Sequence, residues 1–145
     1  MTTTVHDVLK QKGASIIAVS PTSTVFEVLQ ILAERNIGAV LVLEHDRLVG
    51  ILSERDYARQ VILKGKASRD TPVREIMTTA VVCVGPEQSI EECMALMTDK
   101  RFRHLPVIAD DRLIGVLSIG DVVKALLGEQ AFRIEQLESY IASGG

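Results

Sequence analysis

The side chains best suited to chemistry occur in one short motif that the chain contains twice. Residues 50–56 (GILSERD) and residues 115–121 (GVLSIGD) both run glycine, hydrophobic, leucine, serine, two variable residues and aspartate. At the start of a helix, free backbone amides and the positive end of the helix dipole attract a phosphate, to which a serine hydroxyl can add a hydrogen bond. An aspartate one turn into the helix can accept both hydroxyls of a ribose. The upstream glycine lets a ligand or a backbone segment approach closely.

The same spacing also has a purely structural interpretation. A serine followed three residues later by an acidic residue forms a capping box, in which the two side chains satisfy backbone amides at the start of a helix. The motif alone therefore leaves ligand binding and helix capping open as alternatives.

Signatures of catalysis and of metal binding are missing from the sequence. There is no GxSxG, no HExxH and no GxGxxG after a predicted strand. Residues 65–68 (GKAS) are not a P-loop, because the upstream glycine is missing and alanine stands where the hydroxyl should follow lysine. His6, His45 and His104 have no spacing typical of metal ligands. We therefore predict that the protein is not an enzyme, holds no metal and requires no cofactor.

Composition narrows the class of partner. The 145 residues carry a formal net charge of −3 with acids and bases interspersed, and there is no Trp. This argues against a nucleic-acid surface, which needs a basic stripe and aromatic stacking platforms. No apolar run approaches the length of a membrane span or of a signal-peptide core, so we expect a cytoplasmic protein that binds no membrane. Cys83 and Cys93 are then expected to be reduced, buried and structural.

The chain is an internal duplication. The segment from Pro21 to Asp56 aligns without a gap over the segment from Pro86 to Asp121. Each copy shows the same order of patterns: a short β-branched run, an amphipathic helix, two apolar runs joined by a polar turn, and a second helix. Because one copy buries only one face of its small sheet, the two copies are expected to pack together.

These patterns predict an α/β (α+β) fold made of two β-α-β-β-α repeats. The first strands are predicted at 16–19 and 81–84, and the first helices begin with the capping-box spacings Thr24–Glu27 and Ser89–Glu92. Each hairpin is followed by a helix that starts at Ser53 or Ser118. The predicted boundaries are 1–67 for the first repeat, 68–128 for the second, with a polar linker over 63–72, and 129–145 for a C-terminal amphipathic helix and tail.

The C-terminal helix carries an apolar stripe at helical spacing. Ile134, Leu137 and Ile141 lie on one face, with Phe132 and Tyr140 nearby. The stripe either covers an edge of the protein's own fold or forms a contact in a homodimer, and the sequence does not decide between them.

The repeated unit, together with the strings GILSERDY and FRHLPV, resembles a tandem pair of cystathionine-β-synthase-type (CBS) domains, the Bateman module. It also resembles the small stand-alone bacterial CBS-pair proteins. The resemblance covers about residues 5–127 and implies two repeats packed with pseudo-two-fold symmetry. It also implies binding of adenosine nucleotides (AMP, ADP, ATP or NAD(H), in some members S-adenosylmethionine) in clefts between the repeats, and pairing of two modules into a symmetric disc-like homodimer.

The resemblance also implies roles for individual residues. Asp121 would bind the ribose and Ser118 a phosphate in one cleft, and Asp56 and Ser53 would do so in the other. In the second repeat, Arg103 and His104 would point toward phosphates, which prefer the forked donors of arginine. A hydrogen-bonded strand histidine is the structural alternative for His104.

The remaining implied contacts differ between the repeats. Backbone groups after the first strand of each repeat would meet the adenine, namely Ala18 to Ser20 in one repeat and Val82 to Val84 in the other. The first repeat has no counterpart of Arg103 and His104 but carries Arg55 beside its aspartate. The two sites are therefore not expected to be equivalent.

Two functions remain compatible with the sequence. The first is a regulatory sensor that binds an adenosine nucleotide and acts on a separate, unknown protein partner or on its own oligomer. The second is an interaction or scaffold module that needs no ligand, in which the two motifs only cap helices.

Overall fold

The computed structural model describes residues 2–13 and 16–142. They form an α+β fold that divides into two compact units. We call Ile16–Val81 the internal unit, and Met1–Ser15 together with Val82–Gly145 the composite unit. The helices and strands are α1 Val5–Lys12, β1 Ala18–Val19, α2 Val25–Arg35, β2 Ala39–Glu44, β3 Arg47–Ser53, α3 Glu54–Tyr57, α4 Ile90–Lys100, β4 His104–Ala109, β5 Arg112–Ser118 and α5 Ile119–Ala142.

The internal unit is built on a three-stranded sheet in the order β1-β2-β3. Strand β1 runs parallel to β2, and β2 pairs antiparallel with β3. Helix α2 packs against the sheet through its apolar stripe, since Val25 and Val28 are completely or almost completely buried. Helix α3 continues as a π-helix over Ala58–Ile62, and its buried Val61 joins the same core.

The composite unit has the two-stranded sheet β4-β5. The strand predicted at 81–84 is reduced to a single parallel bridge between Val84 and Val107, and the strand predicted at 16–19 is shortened to Ala18–Val19. Val84 nevertheless lies in the core, beside Cys93 of α4 and Leu105 of β4.

Both hairpins turn through two residues that have positive φ. These are His45 and Asp46 in the internal unit, and Asp110 and Asp111 in the composite unit. Two consecutive left-handed residues make the tight turn whose twist matches that of paired strands. The polar turns predicted from the sequence are thus confirmed.

Helix capping is more varied than the capping-box spacings predicted. Thr24 and Ser89 each accept a hydrogen bond from the backbone three residues on, at 3.2 and 3.1 Å. The return bond from the acidic side chain is not among the contacts of the described residues. A full reciprocal box occurs at the start of α1, between Thr4 and Asp7, and in both Ser-x-x-Asp motifs. Hydrogen bonds with Thr4 hold the pKa of the exposed Asp7 carboxyl below its usual value.

The compact units do not follow the order of the repeats along the sequence. Helix α1 precedes the first repeat, yet Val5, Val8 and Leu9 are buried in the core of the composite unit. The corresponding segment before the second repeat, Val73–Glu75 and the residues after it, packs in the internal unit, where Ile76 is buried.

The two motif glycines lie directly against these segments, which precede one repeat in the sequence and pack with the other unit. A Cβ on Gly115 would lie 2.8 Å from Cδ2 of Leu9, and a Cβ on Gly50 would lie 2.6 Å from Sδ of Met77. Both separations are shorter than van der Waals contact, so the side chains of Leu9 and Met77 would have to shift if a Cβ were present. The close approach that the sequence predicted at these glycines is therefore made by the protein's own chain.

Helix α5 differs from the prediction of two separate segments around residue 129. It runs without a break from Ile119 to Ala142 because Gly128, alone in its interior, weakens a helix without ending it. None of the helices in the described part of the chain is both long enough and apolar enough to cross a membrane.

Candidate functional site

Asp121 and Ser118 form a reciprocal cap at the start of α5. The Ser118 amide donates to Oδ2 of Asp121 at 2.8 Å, and the Asp121 amide donates to Oγ of Ser118 at 3.1 Å. The capping alternative is thus correct as a description of these contacts. It accounts for one oxygen of the carboxylate, and Oδ1 has no partner among the contacts of the described residues.

A lysine that the sequence did not single out completes this arrangement. Nζ of Lys12, at the end of α1, donates to Oδ2 of Asp121 at 2.6 Å and to the carbonyl of Val116 at 2.9 Å. The two side chains are 34% and 23% exposed, so the pair is partly shielded from water. An ammonium group has three N–H donors, and these contacts use two of them.

The charge of Asp121 is stabilised where it lies. Burial raises the pKa of its carboxyl, but the hydrogen bond and charge of Lys12 and the hydrogen bonds of Ser118 outweigh burial and leave it below the usual value. The side chain is therefore an anion at neutral pH. An anion with an open oxygen at the edge of a fold suits a ligand that donates hydroxyl groups.

Arg103 and His104 lie next to the same helix start. His104 begins β4 and pairs with Ser118 across the hairpin. The carbonyl of Arg103 accepts the amide of Ile119 at 2.8 Å, and the residue is exposed. The fold thus brings these predicted residues to the end of the hairpin where Asp121 lies.

The two predicted adenine contacts of this unit, Val82 and Val84, differ in the backbone hydrogen bonds that they make with the described residues. Val84 donates its amide to the carbonyl of Pro106 at 3.0 Å, and its carbonyl accepts the amide of Ile108 at 2.9 Å. Its single N–H is thus already used inside the sheet. Val82 is partly buried against the core and precedes this bridge.

The motif of the internal unit is arranged differently. Ser53 and Asp56 form the same reciprocal cap, with the Ser53 amide 2.9 Å from Oδ2 of Asp56. Oγ1 of Thr78 lies 3.4 Å from Oδ1, so neutral donors meet both oxygens of this carboxylate. Arg55 is exposed on α3, and the amide of Glu54 repeats the α5 pattern by donating to the carbonyl of Gly38 at 3.1 Å.

Ala18 and Ser20, the predicted base contacts of the internal unit, are exposed at β1 and just after it. The hydroxyl of Ser20 lies 2.9 Å from that of Thr22 and also accepts the Thr22 amide. Ser20 therefore stabilises the turn that leads into α2.

A difference between the segments that precede the two repeats is the one sequence feature that points to Lys12. With Val5 placed over Val73, Lys12 falls on Ala80, and the cation is present on one side only. The two sites thus differ at Lys12 as well as at the predicted Arg55, Arg103 and His104.

The two cysteines differ from each other. Cys93 is completely buried, whereas Cys83 is only partly buried, so the expectation of two buried thiols holds for Cys93 alone. Burial, with the charge of Glu92, raises the pKa of the Cys93 thiol to about 11. Within 2–13 and 16–142, no cluster of histidine, cysteine and acidic side chains is suited to a metal ion.

Comparison with known proteins places this arrangement in a family. The family model for the CBS domain matches residues 5–62 and 73–128. The chain is 40% identical, over 98% of its length and 73% of the relative's, to the mitochondrial CBS domain-containing protein CBSX3 of Arabidopsis thaliana.

Solved structures agree with the family model. A protein with CBS domains from Burkholderia ambifaria is 47% identical, with a TM-score of 0.85 over 88% of this chain and 96% of that one. The CBS domain pair of protein MJ0100, in complex with 5′-methylthioadenosine and S-adenosyl-L-methionine, has a TM-score of 0.78 over 89% of this chain and 99% of that one. At 24% identity, its likeness is one of fold. The duplicated unit, the capped Ser-x-x-Asp motifs and these matches together show that the chain belongs to the CBS domain family, as a CBS pair similar to small stand-alone CBS-pair proteins.

Proposed function

We propose that the protein is a regulatory sensor of an adenosine nucleotide, and that the Asp121 carboxylate at the start of α5 is the centre of its main site. The observation that carries the proposal is this carboxylate itself. It is three-quarters buried and ionised, and it is held by a cap and a lysine so that one oxygen remains open. One hydroxyl of a ribose would donate to Oδ1 while the Ser118 amide keeps its bond to Oδ2, and the second hydroxyl would compete with Lys12 for Oδ2.

The neighbours of Asp121 suit the rest of a nucleotide. Ser118 and the exposed Arg103 offer a hydroxyl and a guanidinium to the phosphate, and His104 lies across the hairpin from Ser118. Of the two named valines, Val82 is the better candidate for the base because the Val84 amide is engaged within the sheet. AMP, ADP, ATP and NAD(H) all present this ribose and phosphate chemistry.

The internal unit supplies a second, weaker site. Asp56 and Ser53 would bind the ribose and phosphate, with Arg55 as the cation and the backbone of Ala18 and Ser20 for the base. We expect it to be weaker because neutral hydroxyl and amide donors already meet both oxygens of Asp56. The two sites should accordingly fill at different ligand concentrations.

Sensing requires that the ligand binds one state of the protein better than another. Lys12 provides such a difference, because a ribose that takes both oxygens of Asp121 must compete with the ammonium for Oδ2. Its displacement would release the end of α1 from Asp121 and from the Val116 carbonyl. The ligand signal would thus reach α1, and through it a protein partner or a second copy of the chain.

The CBS domain pair of MJ0100 supports an adenosine-containing ligand but does not distinguish a nucleotide from other adenosine derivatives. Its two bound molecules are adenosine derivatives, and it shares the fold with this chain at 24% identity. The choice of an adenosine nucleotide therefore depends on the side chains around Asp121. We further propose that the protein acts in the cytoplasm, without catalysis, and without binding nucleic acid or membranes.

The test is calorimetric titration with AMP, ADP, ATP, NAD, NADH and S-adenosylmethionine, beside the variants Asp121→Asn and Asp56→Asn. Asparagine keeps an acceptor for the helix cap but removes the charge, and Asp99→Asn, an exposed acid on α4, is the matched control. We expect one of the nucleotides to bind the parent and the control, and Asp121→Asn to weaken that binding at least tenfold. A hundredfold excess of ligand over its dissociation constant should also add about 2.7 kcal/mol to the stability.

The scaffold module is the second candidate, and the exposed apolar face of α5 favours it. This second function predicts that none of the six ligands binds the parent protein in the titrations. Equal binding by Asp121→Asn and the parent would instead contradict the assignment of Asp121.

A further inference from the structure

The C-terminal half of α5 is left uncovered by the part of the chain that the structure describes. Every residue from 130 to 142 is exposed, and Leu137 and Ile141 are 62% and 70% exposed. Of the two alternatives for this stripe, covering an edge of the fold is wrong. Large aliphatic side chains arranged on one face of a free helix are typical of a surface that is buried in a complex.

The spacing of the stripe is that of a coiled coil. Apolar side chains recur along α5 at alternating intervals of four and three residues, which corresponds to positions a and d of a heptad. The a positions are Leu127, Ile134 and Ile141, and the d positions are Val123, Gln130 and Leu137. All the apolar members of this set are at least 40% exposed. In the last heptad, Ile134 and Ile141 at a flank Leu137 at d, a combination that favours two strands in a parallel coiled coil.

Two further side chains favour pairing with an identical helix. Arg133 occupies a g position and Glu138 the following e position, and in a parallel dimer these positions of opposite strands are neighbours. The charges are therefore complementary in a homodimer. Among residues 2–13 and 16–142, the ion pair of Arg133 is a long contact of 3.8 Å with Glu91, and both side chains are at least half exposed. Such an exposed pair contributes little to stability, so Arg133 can leave it for a partner on a second copy.

Gln130 would fix the register of such a pair. It is the one polar residue among the a and d positions, and in a parallel pair in register it faces Gln130 of the other copy, whose amide it can bond. A shift by one heptad would place the buried amide against leucine or valine, with its hydrogen bonds unsatisfied.

The stripe from Val123 to Ile141 is only about 27 Å long, which is short for an isolated coiled coil. The first half of α5, however, is held in the composite unit. Val122 is completely buried, and the buried Glu129 carboxylate accepts the Thr3 amide at 2.6 Å. The helix is thus already formed before it meets a partner. The free energy of association is therefore not reduced by the unfavourable free energy of helix nucleation.

We propose that α5 pairs with α5 of a second copy of this chain as a parallel, two-stranded coiled coil over residues 123–141, in register at Gln130. This surface is distinct from the nucleotide site around Asp121, although both lie on the same helix. The inference rests on the proposed function in one respect: the pairing gives the proposed sensor a second copy of the chain on which to act.

Sedimentation equilibrium of the full chain tests the pairing. We expect a dimer in the parent, and we expect Leu137→Asp to raise the dissociation constant at least a hundredfold, because each dimer loses two buried leucines and gains two apposed charges. Gln136→Asp, at an exposed c position, is the matched control and should remain dimeric. A monomeric parent would overturn the proposal, and so would a dimer that Leu137→Asp leaves intact, since its interface lies elsewhere.

Two variants test the parallel arrangement. Arg133→Glu should weaken the dimer through like charges, and addition of Glu138→Arg should restore it. Under mild oxidation, Gln130→Cys should form a covalent dimer, because d positions face each other across the pair at a distance that suits a disulfide. Gln136→Cys should not. A Gln130→Cys dimer that fails to cross-link, or a charge exchange that restores nothing, would show that the helices are not parallel and in register.

Discussion

Removal of the Lys12 ammonium should lower stability and raise the affinity for a ligand that has a ribose but no phosphate. Lys12→Met keeps an unbranched side chain of similar length but loses the contacts with Asp121 and with the Val116 carbonyl. Exposed ion pairs contribute about 0.2–1 kcal/mol, and buried hydrogen bonds to charged groups about 1.5–3 kcal/mol. With side chains 34% and 23% exposed, the pair lies between these limits.

We therefore expect a coupling energy of about 1 kcal/mol between Lys12 and Asp121. The measurement is a double-mutant cycle of urea unfolding with Lys12→Met, Asp121→Asn and the double variant. For a chain of this length, 1 kcal/mol corresponds to about 3 °C in Tm. The coupling should fall in 1 M salt, where the Debye length is about 3 Å. Lys10→Met, an exposed lysine on the same helix, should leave stability unchanged.

The effect on binding has the opposite sign and depends on the proposed function. If the ribose competes with Lys12 for Oδ2 of Asp121, removal of a competing contact of about 1 kcal/mol should raise the affinity for adenosine about fivefold. Titration calorimetry with adenosine measures this change directly. A coupling energy of zero would refute the energetic argument. Weaker adenosine binding by Lys12→Met than by Lys10→Met would show that the lysine assists the ribose.

Other perturbations follow from contacts within each unit. The pKa of Asp121 lies below its usual 3.8 in the folded protein, so the contribution of the pair is complete above that pH and disappears as the pH falls below it. The difference in unfolding free energy between the parent and Lys12→Met should therefore shrink in urea titrations below about pH 3.8 and stay constant from pH 5 to 7. Cys93, buried with a pKa of about 11, should resist iodoacetamide at neutral pH in the native protein, while the partly buried Cys83 reacts first. Equal modification rates, followed by mass spectrometry, would contradict this order. Gly50→Ala should destabilise the protein by about 1–3 kcal/mol, because its Cβ would also lie 3.1 Å from the Thr78 carbonyl, which Ile51 holds by a hydrogen bond. Thermal unfolding measures the loss. Gly65→Ala is the comparison, because Gly65 has a positive φ of 70° and nothing within 4 Å, so its substitution reports backbone strain without crowding, whereas that of Gly50 reports crowding.

The elements that the sequence predicted well are those with strong local signals. The hairpin turns at His45 and Asp110 and the helix starts at Ser53 and Ser118 each depend on a few adjacent residues, and all four are confirmed. The strand predicted at 81–84 was too long, because a β-branched run reports burial and does not say how many residues find a pairing strand.

The components of the site that escaped prediction are long-range contacts. Lys12 meets Asp121 across more than a hundred residues of chain, and no local pattern encodes that approach. The interpretation of the glycines as sites of close approach was correct. The approaching groups, Leu9 and Met77, belong to segments upstream of the gap-free alignment that begins at Pro21 and Pro86. A duplication shows which residues correspond, and it does not show which copy of a segment packs with which sheet.

Because α1 belongs to the composite unit, the two units cannot complete their cores in the same order in which their first residues are synthesised. All of the internal unit, Ile16–Val81, is synthesised between α1 and the rest of its core. At 5–20 residues per second, ribosomal synthesis of that stretch takes on the order of ten seconds. An isolated eight-residue helix is not stable in water. Val5, Val8 and Leu9 therefore have no core to pack into until Val84 and Leu105 have been synthesised. The internal unit is therefore the one that can fold during translation, while the composite unit closes only near the end of synthesis. A fragment that starts at the second repeat would lack these three core side chains altogether.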